Sequence, residues 1–199
     1  MATPWGFKSP SRYQSDTTKM KFCSQCGARV SRRIPPGDNR ERWVCDACDT
    51  VHYRNPLLVV GCVAEKDGKI LLCKRAIEPR YGYWTVPAGF MELGESLAQG
   101  AARETFEEAC AEVEIGHMFV SVDVIDAGQV HVFFTGRFSG SYGAGDESLE
   151  TKLFAPQDIP WDELAFQSGR YALQKYLEDK GLDNGVHFHE LRRAKESND

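Results

Sequence analysis

The sequence predicts an α+β protein, and three observations carry that reading. Two apolar runs joined by an Asp-Gly turn, and two more runs after residue 112, have the character of strands of one sheet. Between the two pairs lies a stretch with helical spacing, alanines on one side and carboxylates on another. Ahead of both stand two Cys-x2-Cys pairs. At 199 residues the chain has the size of one ordinary domain with a small appendage, and its 42% of hydrophobic residues can fill a core.

Composition narrows the setting. Residues 1–19 lack the apolar segment of a signal peptide and are expected to form a flexible tail. No stretch approaches the apolar run that spans a bilayer, so no membrane association is expected and a cytoplasmic location follows. The formal net charge of −5 argues against a nucleic-acid backbone as the main partner. Seven cysteines in such a chain point to metal or buried thiols rather than disulfides.

Residues 20–55 read as a ribbon. Cys23-x2-Cys26 and Cys45-x2-Cys48 form two knuckles whose spacing is that of a structural Zn²⁺ site. Short turns let each pair of thiolates converge, and Gly27 suits the first turn. RRIPPGDNRERWV between the pairs reads as two short strands around a Pro-Pro-Gly-Asp turn. Four thiolates close the coordination shell, so this zinc would fold the segment rather than do chemistry. His52 is either a substitute ligand or an ordinary strand residue.

Residues 56–182 are expected to form the main domain, opened by Pro56. Leu57 to Glu65 is a buried strand, Asp67-Gly68 a hairpin turn, and Ile70 to Arg75 the returning strand. Cys62 and Cys73 are small core residues there. Arg75, at the strand end, can reach a substrate phosphate or lie solvated. An aromatic, turn-rich loop follows, from Glu78 to Trp84.

The helix comes next. Ser96 and Gln99 make a capping box and Gly94 suits the turn before it. Ala98, Ala101, Thr105 and Ala109 share a small apolar face, while Glu104, Glu107 and Glu108 fall together on another. Stacked carboxylates repel, and Arg103 is the only cation beside them in sequence. A hard divalent cation is the obvious use for such a set. A bare E-x-x-E-E would still read as an acidic surface patch.

Beyond the helix, Glu112 to Asp126 and Gln129 to Phe138 have strand character, with His131 a buried, hydrogen-bonded residue. Ser139 to Asp146 is a glycine-rich loop expected to be mobile and near the site, followed by Glu147, Glu150 and a strand at 152–154. Leu164 to Lys180 spaces its apolar residues as a second helix, and residues 183–199 form a charged, frayed tail.

The surroundings of the three glutamates decide between patch and site. Gly89, Glu95, Arg103, Glu104, Glu107 and Glu108 occupy the pattern G-x5-E-x7-R-E-T-x-E-E. Six identities at about one in fifteen each recur by chance on the order of once in ten million starts. The stretch resembles the Nudix box, the signature of hydrolases that split a nucleoside diphosphate linked to another group. It departs from that box at Thr105 and Ala111, where aliphatic residues are usual, and at Cys110, where the family has glycine.

The resemblance implies an α/β/α sandwich around a mixed β-sheet, preceded here by the zinc ribbon. It implies Mg²⁺ (or Mn²⁺) held by Glu104, Glu107 and Glu108, with the Ala88 carbonyl and either Glu150 or Glu147 as further ligands. Arg103 would orient Glu104, which serves as ligand or base, while Gly89 and Glu95 support the loop. Tyr83 and Phe90 would stack on an adenine or flavin ring of a dinucleotide or nucleotide-sugar substrate. Segments from Phe22 to Lys180 resemble the plant-type FAD and ADP-ribose pyrophosphatases, among them VVGC at 59–62, LLCKR at 71–75 and ESLE at 147–150. That likeness implies AMP release and, by analogy, a homodimer. NADH pyrophosphatases share the ribbon but carry a Ser-Gln-Pro-Trp motif that is absent here. A non-catalytic nucleotide-sensing module is the alternative of another class.

Overall fold

A computed structural model describes residues 20–192, in two compact units divided between Asn55 and Pro56. The tail expected at 1–19 lies outside the described residues.

The first unit is a three-stranded antiparallel ribbon of β1 (Val30–Arg33), β2 (Arg42–Cys45) and β3 (Val51–His52). Arg33 pairs with Arg42 across the first hairpin, and Asp38 in the turn accepts a 2.8 Å bond from Arg42 Nε. Gly27 takes a positive φ of 74° in the first knuckle, where its N–H reaches Cys23 O at 3.0 Å. The second knuckle closes through Cys45 N to Thr50 O at 2.9 Å.

The second unit is built on one mixed sheet. Its strands are β4 (Leu57–Lys66), β5 (Lys69–Arg75), β6 (Trp84–Thr85), β7 (Ala88–Phe90), β8 (Glu114–Val124), β9 (Gln129–Arg137), β10 (Ser148–Phe154) and β11 (His187–Leu191). The main order is β10-β5-β4-β9-β8-β11, with β6 beside β5 and β7 beside β4. The β4–β9 and β8–β11 pairs are parallel and the rest antiparallel.

Strand alternation sends side chains to two layers. Val60, Cys62, Ala64, Leu71, Cys73, Val132 and Phe134 face the helix α1 (Leu97–Ala109), which contributes Ala101 and Ala109. Val63, Ile70, Leu72, Val120 and Phe133 face α2 (Gln167–Asp179), which contributes Ala172, Leu173 and Tyr176. This is the sandwich that the sequence predicts. Trp84 is buried and meets Phe154 edge-on, 4.9 Å between ring centres, so its role is packing.

Small residues let α1 lie close to the sheet. A Cβ on Gly100 would stand 2.8 Å from Val60 Cγ2. Thr105, fully buried where the family prefers an aliphatic residue, satisfies its hydroxyl on Ala101 O at 2.7 Å.

Three expectations are corrected. The second helix starts at Gln167, not Leu164, because Ala165 N bonds Trp84 O at 2.8 Å and Leu164 bridges Trp84, which keeps that backbone extended. Within the expected tail 183–199, residues 187–191 form β11, which pairs with the outer edge of β8 and so satisfies backbone groups there. His189 stacks on Tyr171 of α2, ring centres 4.4 Å apart, and His187 Nε2 meets Asp179 Oδ2 at 2.6 Å. The loop after β9 is tied to α1 rather than loose, as described below. No helix among the described residues is long and apolar enough to cross a membrane.

Cys110 caps α1 in the left-handed region, φ 47°, which explains why glycine is the family's residue at this point. A residue with a Cβ costs about 1 kcal/mol there. Cys110→Gly should raise the free energy of urea unfolding by about that amount. An unchanged or lower midpoint would show that the position is unstrained.

Candidate active site

The site is assembled by one arginine. Arg103 lies nearly two turns into α1 and projects back toward the β7–α1 loop, as helical side chains do. Its Nε and Nη2 grip Glu95 Oε2 and Oε1 at 3.0 and 2.8 Å. Nη1 donates to Glu104 Oε1 at 2.7 Å and to Glu107 Oε2 at 3.0 Å. Nη2 also reaches Phe90 O at 3.0 Å. All five guanidinium hydrogens therefore have acceptors. Arg103 holds the Glu95 carboxyl below the usual carboxylate range, and Glu95 also accepts from Glu92 N at 2.7 Å.

Gly89 is required by contact. A Cβ on it would overlap the Glu104 carboxylate. Glu104 thus lies against Gly89 of β7.

The three glutamates do not form a uniform face. They run from buried to exposed around the helix: Glu108 is 7% exposed, and the Glu104 and Glu107 side chains are 12% and 57% exposed. Glu108 lies beside the Ala101–Thr105 stripe, where its Oε2 accepts from Ala88 N at 3.2 Å. Spacing alone places three carboxylates near one another. Which of them turns inward depends on where β7 packs.

Electrostatics follow from burial. Desolvation pushes Glu108 up to about 8, reinforced by Glu104 and opposed by Ala88 N–H and Arg75. Desolvation likewise pushes Glu104 up to about 7, although Arg103 opposes it. Glu147 is raised by burial, with Arg75 opposing. Of the two downstream candidates, Glu147 is the one whose charge bears on Glu104 and Glu108. Glu150 is exposed beyond an irregularity in the β10–β5 register between Ser148 and Glu150.

Arg75 is not a solvated strand end. It is buried, its Nε donates to Pro79 O at 2.9 Å, and its guanidinium lies 4.9 Å from the centre of the Phe166 ring. Burial lowers its pKa, while Glu108, Glu147 and Glu78 raise it. Tyr83 and Phe90 keep partly exposed rings, with Arg80 lying 5.4 Å from the Tyr83 ring centre. His131 is half-buried and bonded on both nitrogens, to Ser168 Oγ and Gln129 Oε1 at 2.9 Å each, so its imidazole is engaged. The sequence reading missed Phe90 O, Phe166 and the Ala88 N–H. Backbone groups and stacking partners leave no spacing signal.

Two donor sets differ in chemistry, soft sulfur in the ribbon and hard oxygen on α1. The four ribbon thiols lie within 4.8 Å of one another, with Sγ contacts of 3.8, 3.4 and 3.4 Å. A tetrahedral Zn–S₄ shell needs about 3.8 Å between sulfurs, so the thiols fit zinc. His52 is not in that group. On α1, burial first and neighbouring carboxylates second resist ionisation of Glu104 and Glu108; their hard oxygens are the donor type that Mg²⁺ or Mn²⁺ takes, though among the described residues only the thiols are gathered within 4.8 Å of one another.

Comparison with known proteins agrees with this geometry. The zinc-ribbon family described as Nudix N-terminal matches residues 21–54, and the NUDIX domain matches residues 55–176. The chain belongs to the Nudix family. A NUDIX hydrolase of Nitrosomonas europaea superposes with a TM-score of 0.83 at 45% identity, covering 87% of this chain and all of that one. The NAD-capped RNA hydrolase NudC of Vibrio atlanticus is 38% identical over 104 residues, 51% of this chain. This chain spans only 36% of that relative's length. The ADP-ribose pyrophosphatase of Methanocaldococcus jannaschii is 34% identical over 119 residues, 57% of this chain and 69% of the relative.

The raised carboxyls of this Nudix site have a sign that can be checked. A glutamate whose folded pKa lies above its unfolded value destabilises the fold once ionised. Metal-free protein should therefore lose stability as pH climbs from the ordinary glutamate range, near 4.5, through about 8. Half-buried His131, pushed down to about 4 by desolvation, acts in the opposite sense below the usual histidine range, so the window above about 6.5 is the clean one. Between pH 6.5 and 8.5 the melting temperature should fall for wild type, fall less for Glu108→Gln, and recover with Mg²⁺. Parallel wild-type and variant profiles would contradict the assignment.

Proposed function

We propose that this Nudix protein is a divalent-metal-dependent pyrophosphohydrolase of the cytoplasm whose preferred substrates are FAD and ADP-ribose. The observation that carries the reading is the Arg103-centred carboxylate cluster, in which Glu104 lies on Gly89 and Glu108 is buried beside Ala88.

Water would add to one phosphorus as the bridging P–O bond breaks, giving AMP with FMN from FAD, or with ribose 5-phosphate from ADP-ribose. Glu104, Glu107, Glu108 and Glu147 would hold the Mg²⁺ or Mn²⁺, with the Ala88 carbonyl as a further oxygen. The bound ion supplies an acidified water and charge neutralisation at the phosphates. Arg103 fixes the direction of Glu104 and Glu107. Glu104 acts as ligand or as the base that takes the water's proton, and its pKa near 7 suits the second role. Arg75 places a buried cation beside Glu108 and Glu147, where it can meet a substrate phosphate. Tyr83 and Phe90 offer partly exposed rings to the base or the flavin. The zinc is structural and supports the ribbon.

Two relatives pull the substrate in different directions. The Methanocaldococcus relative is named an ADP-ribose pyrophosphatase, and the spread of segments shared with the plant-type FAD and ADP-ribose enzymes favours the same class. The NudC relatives are named NAD-capped RNA hydrolases, which supports NADH or an NAD-capped RNA end as the second reading. Absence of the Ser-Gln-Pro-Trp motif weighs against that second reading.

Chromatography after incubation with FAD, ADP-ribose, NADH and NAD-capped RNA in Mg²⁺ separates the readings. AMP mainly from FAD or ADP-ribose is the expected result. Preference for NADH or the capped RNA would move the substrate to the second reading. Tight nucleotide binding without turnover would make the protein a sensing module. Glu108→Gln should lower kcat by a hundredfold or more with the fold retained, and unchanged turnover would overturn the metal assignment.

A further inference from the structure

A helix leaves its last four carbonyls without intrahelical donors. In α1 these belong to Phe106, Glu107, Glu108 and Ala109. Cys110 N serves Phe106 O at 2.8 Å. The glycine-rich loop at 140–147 serves two others: Gly145 N donates to Glu108 O at 3.1 Å and Gly143 N to Ala109 O at 2.8 Å. The remaining one, Glu107 O, faces Gly145. A Cβ on Gly145 would overlap Glu107 O, and backbone cannot swing aside as a side chain can.

The same loop is fastened at both ends. Lys66 Nζ donates to Gly140 O at 2.6 Å. Beyond Gly145, Ser148 N returns to Gly145 O at 3.0 Å and Ala76 N donates to Glu147 O at 2.8 Å. The backbone that seats against the Glu107–Glu108 peptide therefore also carries Glu147.

We propose that Gly145 is a positioning residue for metal binding: its bare Cα lets the loop seat on the end of α1 and fixes Glu107, Glu108 and Glu147 as one set of oxygen donors. This rests on the metal-dependent reading above, but its test does not depend on the substrate. In Gly145→Ala the loop or the helix end must move, and misplacement by about an ångström costs on the order of a hundredfold in rate. Gly143 is the control. It makes the same kind of bond to the helix, yet nothing lies within 4 Å of a Cβ placed on it.

The primary readout is binding of Mn²⁺ alone, followed by electron paramagnetic resonance of the free ion. Gly145→Ala should weaken it at least fivefold, and Gly143→Ala should match wild type. On ADP-ribose, Gly145→Ala should lower kcat at least tenfold with KM within twofold. Wild-type Mn²⁺ affinity in Gly145→Ala, or an equal loss in Gly143→Ala, would overturn the proposal. If wild type turns over no substrate while Mn²⁺ binding still depends on Gly145, the enzymatic reading fails and this inference stands. Should Gly145→Ala not fold, amide exchange in the wild-type protein decides. Coupling is reciprocal, so Mg²⁺ should slow exchange at Gly143 and Gly145. Unchanged exchange there would overturn it.

Discussion

The bonds of the Arg103 guanidinium are the constraint on which the rest of this site depends. Five donors in a rigid fork meet Glu95, Glu104, Glu107 and the Phe90 carbonyl. One cation thereby ties the loop that enters the helix to two of the carboxylates the helix presents. It neutralises only part of the negative charge. Glu108 lies outside its bonds, buried beside Ala88, and burial pushes its carboxyl up. The protein holds its carboxylates in place without fully compensating them.

The fold makes this arrangement affordable by close approach. Gly100 brings α1 onto Val60, Gly89 lets Glu104 rest on β7, and Gly145 lets the downstream loop rest on the helix end. Each glycine stands where a methyl group would collide with a neighbour. The carboxylate helix is thus clamped along its sheet side, at its entrance and at its exit, while α2 and its layer fill the opposite face of the sheet.

Much of this was legible in the sequence, for local reasons. The capping box of Ser96 and Gln99, the period of the alanine stripe and the knuckle spacing of the cysteines are set by neighbours in the chain, and each has its counterpart in the structure. Features set by distant packing were not legible. Spacing puts Glu108 with Glu104 and Glu107, but the position of β7 turns it inward. Glu147 and Glu150 look alike in sequence, and the irregular register of β10 on β5 separates them. The charged C-terminal stretch becomes β11 because the edge of β8 offers it partners, which no local pattern announces. A glycine-rich loop suggests motion, whereas here the missing side chain of Gly145 serves contact.

The measurement that bears most directly on this account is steady-state turnover of Arg103→Lys on ADP-ribose in saturating Mg²⁺, beside its melting temperature. Lysine keeps the charge but cannot form the five-bonded fork. If the fork sets the carboxylate geometry, kcat should drop on the order of a hundredfold while the protein remains folded. Turnover within a fewfold of wild type would mean that charge alone suffices, and would contradict the central claim.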